Sequence, residues 1–267
     1  MKDIEELKNK VICGDCLEVM KDIPDKSIDM VLTSPPYDNL RTYNGYTFDF
    51  EGIAKELFRI VKDGGVCVWV VGDATIKGSE TGTSFKQALY FKEIGFNLHD
   101  TMIYQKTNPI PLTHNRYEQG FEYMFIFSKG KPKTFNPILI DVKTPNKKYK
   151  WKSKEVGSSK RERDEITFSK NKKIKLNIFE YALTGNRDAG KHPAPFPEKL
   201  AEDHIISWSN EGDVILDPMA GSGTTLKMAK KNNRNYIGIE ISPEYIDIIN
   251  KRLSQLTEDN KDTNPKE

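Results

Sequence analysis

Two apolar runs in this chain end in turns that no strand can pass through, and those endings constrain the fold more than any other feature. Ile28-Asp29-Met30-Val31-Leu32 has the length and β-branched content of a buried strand, and it closes at Thr33-Ser34-Pro35-Pro36-Tyr37. Two successive prolines offer no N–H donors to a ladder, so a rigid turn ends the strand. Gly212-Asp213-Val214-Ile215-Leu216 is a second run of this kind. It closes at Asp217-Pro218-Met219-Ala220-Gly221-Ser222-Gly223-Thr224-Thr225 and leads into a helix.

At the carboxyl edge of a parallel sheet, the first turn would gather the Ser34 hydroxyl, the Pro35 carbonyl and the Tyr37 ring into one small space. Two acceptors and a flat apolar plate are what a planar base with an exocyclic amine needs. The lone pair of such an amine is delocalised into its ring. Acceptors aimed at its two hydrogens favour a more tetrahedral nitrogen that can attack, while the ring stacks on tyrosine. The plain alternative is a proline-terminated strand with a buried tyrosine.

The second turn belongs to a longer pattern: strand, glycine-rich turn, helix, then the strand Tyr236-Ile237-Gly238-Ile239-Glu240 with an acid at its end. That is the order of a nucleotide-type site in a doubly wound sheet. The turn lacks the Gly-Lys-Ser/Thr ending of a phosphate cradle, and Leu226 stands where the dinucleotide pattern has its third glycine. Asp217 also argues against a polyphosphate and for a ligand carrying a cationic amino group. Glu240 is placed to accept from two ribose hydroxyls, the alternative being a surface acid that leads a helix. Adenosine with a charged amino-acid tail, S-adenosyl-L-methionine, meets both requirements.

Around these turns the sequence alternates strands and helices. A βαβ unit spans residues 11–32, a helix spans 50–61, and Val66-Cys67-Val68-Trp69-Val70-Val71 reads as a strand buried on both faces. Residues 75–83 read as a Gly/Ser/Thr loop. Residues 101–105 and 123–127 are expected to pair as an antiparallel edge, and residues 38–50 as a loop beside the pocket. At 267 residues, 30% of them charged and 37% hydrophobic, the chain suits one α/β domain carrying an insertion. No apolar run is long enough for a membrane span and no signal peptide is read, so a cytoplasmic location is expected. Cys13-Gly14-Asp15-Cys16 matches C-x-x-C without a second ligand pair, and no metal is expected.

The net charge of +2 hides an asymmetry: residues 129–175 hold sixteen Lys and Arg against five Asp and Glu, leaving the rest of the chain at −9. Tyr149, Trp151 and Phe168 interleave with this charge. A solvated lysine-rich insertion is the plain reading, and a small module that neutralises phosphates and reaches base edges is the other.

The Asp217–Thr225 turn, the Thr33-Ser-Pro-Pro-Tyr37 turn and the basic segment between them resemble the amino-methyltransferases that modify DNA, in the β arrangement where the catalytic motif precedes the cofactor motif. The resemblance covers nearly the whole chain outside residues 129–186. It implies a Rossmann-like methyltransferase fold with a basic target-recognition insertion, and it divides the chain into a catalytic half at 1–128, the insertion at 129–186, a cofactor-binding half at 187–256 and a frayed tail at 257–267. It implies S-adenosyl-L-methionine as cofactor, held by Asp15 near the adenine, Phe196 near the methionine part, and Thr33, Asp217, Pro218, Ala220, Gly221, Ser222, Gly223, Thr224, Thr225 and Glu240. Ser34, Pro35, Pro36 and Tyr37 would be catalytic.

The implied partner is double-stranded DNA, contacted through Arg41, Lys147, Lys148, Lys150, Trp151 and Lys152. A companion restriction endonuclease acting independently, and a monomer or homodimer, go with that reading. In the family that the chain resembles, serine at the head of the proline turn goes with cytosine N4 and aspartate with adenine N6, so the resemblance favours cytosine N4, with adenine N6 the runner-up. A cytosine carbon-5 enzyme would need a thiolate after a proline, and none of the three cysteines follows one. A non-catalytic DNA-binding protein on the same scaffold is the rival from another class.

Overall fold

The computed structural model describes residues 2–36, 48–109, 115–142, 171–182 and 197–262. In chain order the elements are α1 (Ile4–Leu7), β1 (Lys10–Cys13), α2 (Cys16–Met20), β2 (Ile28–Thr33), α3 (Phe50–Ile60), β3 (Val61–Val71), β4 (Thr75–Ile76), β5 (Ser79–Glu80) and α4 (Thr83–Glu93). There follow β6 (Asn97–Lys106), β7 (Phe121–Ser128), β8 (Leu139–Asp141), β9 (Lys172–Ile174), β10 (Ile178–Tyr181), α5 (Glu198–Trp208), β11 (Val214–Asp217), α6 (Thr224–Lys231), β12 (Asn235–Glu240) and α7 (Pro243–Asp262). Among the described residues no helix is long and apolar enough to cross a membrane.

Two compact units result. Residues 1–136 and 177–267 form the larger, and residues 137–176, within the basic stretch, form the smaller. The smaller unit contains the antiparallel pair β8–β9, with Leu139 opposite Ile174 and Asp141 opposite Lys172.

In the larger unit an eight-stranded sheet runs in the order β1-β12-β11-β2-β3-β7-β6-β10. All neighbours are parallel except β7, which is antiparallel to both β3 and β6. The expected doubly wound, mostly parallel sheet is therefore the fold. The β6–β7 pair forms as the alternation predicts but is not the edge, because β10 adds beyond it in parallel. β3 begins at Val61, five residues before the apolar run. Gly64, at φ +81°, and Gly65, whose hydrogen lies against the Asp29 carbonyl, let the strand irregularity opposite Ile28 and Met30 form.

Helices α2, α3 and α4 cover one face, and α5, α6 and α7 cover the other. α3 shows why: the Asp49 side chain caps its first turn by accepting from the Gly52 amide (3.0 Å), and Ile53, Ala54, Leu57 and Ile60 recur on one side and are buried. They meet Val31, Cys67, Trp69, Phe91 and Phe127, where Phe91 and Phe127 stack at 4.4 Å. Fully burying one such aliphatic side chain contributes about 1.5–3 kcal/mol. The polar atom in this core is satisfied: Trp69 Nε1 donates to Gln87 Oε1 at 2.8 Å.

On the other face Leu226 of α6 lies against Gly238 of β12 so closely that a Cβ on Gly238 would fall 2.3 Å from Leu226 Cδ1. The missing third glycine of the turn is thus answered on the strand, where Gly238 lets helix and sheet approach.

Candidate active site

β11 and β2 are parallel neighbours, with Ile215 beside Met30 and Leu216 beside Val31, so the two turns leave the sheet at the same end. From β11 the chain steps outward to β12, and from β2 it steps the other way to β3. Strand order therefore reverses between the two turns. Such reversals open a crevice beyond the carboxyl ends of the strands, which is where α/β sheets bind ligands. The Thr225 hydroxyl donates to the Leu32 carbonyl (3.2 Å), joining the start of α6 to the end of β2 across 193 residues of sequence. Pro35 is buried, and Ser34 and Pro36 are half-buried at the mouth of this corner.

Asp217 ends β11 and is 2% exposed. Burial lifts its carboxyl to about 6; the neighbouring Thr225 and Thr33 hydroxyls and the hydrogen bond from the Met219 amide oppose the rise. The amides of the turn after it are largely used within the protein. Met219 N–H reaches Asp217 Oδ1 (3.2 Å), Ala220 N–H the Ile239 carbonyl (2.9 Å), Gly221 N–H Glu240 Oε2 (2.8 Å) and Gly223 N–H the Ala220 carbonyl (2.7 Å). A phosphate-binding turn presents such donors to its ligand. This one presents buried carboxylates instead, a donor set suited to a cation.

Glu240 closes β12 and is 8% exposed. Its Oε1 accepts from Ser242 N–H (2.9 Å), so each oxygen holds one loop amide and keeps a lone pair for a ligand hydroxyl. Burial raises its pKa, and these backbone bonds resist the rise. On the next strand Cys13 lies beside Glu240, and Gly14 N–H donates to the Glu240 carbonyl (3.0 Å), which brings Asp15 to the same edge. Asp15 there caps α2, its Oδ1 accepting from Leu17 (2.9 Å) and Glu18 (3.1 Å). The Cys16 thiol beside it is pushed up to about 12, chiefly by burial and then by Asp15, so it is no thiolate at neutral pH.

The sequence reading missed what shapes the glycine turn from behind. Arg252 of α7 is 1% exposed, and its Nη1 donates to the Ser222 carbonyl (2.7 Å), to Ser222 Oγ (3.2 Å) and to Thr224 Oγ1 (3.2 Å). Its Nη2 donates to Glu198 Oε1 (2.7 Å), which also accepts from Lys227 (2.8 Å). The first residue of α5, the glycine turn and α7 are thereby tied at one point. Arg252→Met is expected to weaken cofactor binding by about tenfold, with much less effect on turnover at saturating cofactor. Calorimetric titration beside single-turnover rates checks this, and Arg252→Lys should recover part of the loss.

Thus Thr33, Ser34, Pro35, Pro36, Asp15, Asp217, Pro218, Ala220, Gly221, Ser222, Gly223, Thr224, Thr225 and Glu240 come together at one sheet edge. Tyr37, Arg41, Lys147, Lys148, Lys150, Trp151, Lys152 and Phe196 lie outside the described residues.

The profile of a family described as DNA methylase matches residues 28–251, both corners included. The chain belongs to that family. The methylase is 57% identical over 244 residues to the orphan methyltransferase M.BamHII of Bacillus amyloliquefaciens, covering 87% of this chain and 91% of that protein. It is 30% identical over 279 residues to the Type II methyltransferase M.HinfI of Haemophilus influenzae, covering 96% and 71%. Among solved structures, the putative DNA modification methylase TTHA0409 of Thermus thermophilus, complexed with S-adenosyl-L-methionine, matches the methylase with a TM-score of 0.62 at 25% identity over 92% of this chain and 95% of that one. The cytosine-N4-specific PvuII DNA methyltransferase shares the fold, with a TM-score of 0.68 at 22% identity over 94% and 90%.

Proposed function

We propose that this DNA methylase methylates the exocyclic N4 amine of cytosine in double-stranded DNA, with S-adenosyl-L-methionine as its cofactor. The observation that carries the reading is the adjacency of the serine-headed Pro-Pro turn and the carboxylate-lined glycine turn across the reversal of strand order. When bound, the cofactor supplies an electrophilic methyl group on a sulfonium. Asp217 would face its amino group and Glu240 its ribose hydroxyls, which fits the buried carboxylates and the internally used amides of the turn.

The chain's own residues do the rest. The Ser34 hydroxyl and Pro35 carbonyl accept from the target amine, localising its lone pair, and Tyr37 stacks on the base after it leaves the duplex. Holding that base beside the cofactor turn supplies the orientation the transfer needs. The basic segment at 129–175 supports a polyanionic partner, with Arg41, Lys147, Lys148, Lys150, Trp151 and Lys152 as its contacts. Type II relatives support a restriction-modification setting.

Adenine N6 is the second reading, since amine chemistry at either base is alike and serine at position 34 alone favours cytosine. The test is to methylate plasmid DNA, digest it to nucleosides and weigh the products. N4-methylcytosine is expected; N6-methyladenine would move the assignment to adenine. No methylated nucleoside, together with no cofactor binding, would leave the non-catalytic DNA-binding reading.

A further inference from the structure

Beside the proline turn, β3 ends at Val71 on the same sheet edge, and the chain then rises into the two-stranded pair β4–β5. Its tip is Lys77-Gly78, with φ of +49° and +81°, the left-handed pair that closes a tight two-residue hairpin. Asparagine or glycine would sit at position 77 with less strain than lysine. Lys77 is exposed and makes no ion pair among the described residues, and Ile76 beside it is 53% exposed.

The hairpin is braced from below. Asp73 accepts from the Ser84 amide (2.9 Å), the Thr81 hydroxyl (3.3 Å) and the Ser84 hydroxyl, and Thr81 N–H donates to the Ala74 carbonyl (3.0 Å). Arg116, in the segment leading to β7, donates to the Gly78 carbonyl and pairs with Glu80 at 3.9 Å. Next to Arg116 stands Tyr117, whose side chain is wholly exposed.

Single exposed apolar residues are ordinary. A stiff projection that presents an aliphatic side chain and an unpaired ammonium, one strand away from the base-holding turn and braced by a segment that carries an exposed aromatic ring, has a more specific use. Proteins that open a duplex press apolar side chains into the base stack and hold the flanking phosphates with cations. We infer that the β4–β5 tip, with Ile76 and Tyr117 as the apolar edge and Lys77 as the phosphate contact, is a wedge against duplex DNA that supports extrusion of the target base. This rests on the reading of the chain as a base-flipping DNA methyltransferase, and it is separate from the basic segment.

The test uses the full chain and two oligonucleotide duplexes carrying the site found by sequencing methylated plasmid, one fully paired and one with the target base mispaired. Ile76→Ala combined with Tyr117→Ala is expected to lower kcat/KM on the paired duplex by about tenfold and to spare the mispaired one, whose base leaves the stack at lower cost. Cofactor affinity should stay unchanged, and Ile76→Phe should retain activity. Lys77→Glu should weaken duplex binding and lower the slope of log affinity against log salt by about one phosphate contact.

Equal losses on both duplexes, or no loss on the paired one, would overturn the wedge. So would a change in oligomeric state of the Ile76→Ala chain with duplex methylation intact, which would make the tip a contact between copies. A wild-type chain that methylates neither duplex would overturn the parent reading and the wedge with it.

Discussion

Replacing Asp217 by asparagine is expected to weaken cofactor binding severely while leaving the fold intact. Removing one charge from a buried pair typically costs about 2–5 kcal/mol, roughly thirtyfold to a few thousandfold in Kd. The same residue sets a pH dependence. Its carboxyl is carried from 3.8 to about 6 by burial, so a cationic ligand, which needs the ionised form, should bind more weakly as pH falls through about 6. The slope should approach tenfold per pH unit below that. Without ligand the sign for stability is opposite. The folded chain holds the proton more tightly than the unfolded one, so this group's contribution declines as pH rises from 3.8 to about 6 and is flat above. Titration calorimetry and thermal unfolding at several pH values check both, and Asp217→Asn should flatten both profiles. An asparagine variant that binds the cofactor as tightly as wild type would remove Asp217 from the site.

Ser34→Ala is expected to lose about 10²–10³ in kcat, the usual cost of removing one positioned hydrogen-bonding group from a developing charge. Cofactor affinity should hold, because the proposed role gives Ser34 the target amine and leaves the cofactor to Asp217 and Glu240. Tyr37→Ala should lose about 1–3 kcal/mol of stacking, read as a higher KM for DNA and a slower chemical step. Quenched single-turnover assays with labelled methyl donor separate the two from a folding defect. A Tyr37→Ala enzyme with undiminished turnover would take the ring out of the mechanism.

The strand ends at Thr33, Asp217 and Glu240 were legible because each is a β-branched apolar run stopped by residues with a definite physical meaning: two prolines, a glycine turn, an acid. Their convergence was legible only as an expectation, since parallel pairing of β2 with β11 leaves no local mark. Arg252 was hidden for another reason. In a helix rich in charge a lysine-arginine pair reads as a solvated surface, and the one signal was its place between Ile249 and Leu253, both buried. The β4–β5 hairpin read as loop because lysine is a poor marker of a left-handed turn. β10 was masked by context: Ile174, Leu176, Ile178 and Phe179 form one apolar cluster in sequence, yet Ile174 pairs with Leu139 in the smaller unit and Phe179 joins β6 in the main sheet.

The pairing of β2 with β11 closes a loop of well over a hundred residues, fastened also by the Val214 amide donating to Asp29 (2.9 Å). Long-range closure of this kind is entropically dear and slow. A chain emerging from the ribosome therefore carries its proline turn long before the partner strand exists. Competence for methyl transfer therefore waits on β11 and the turn that follows it, so products cut off before β11 should be chemically silent even where the strands before it have condensed.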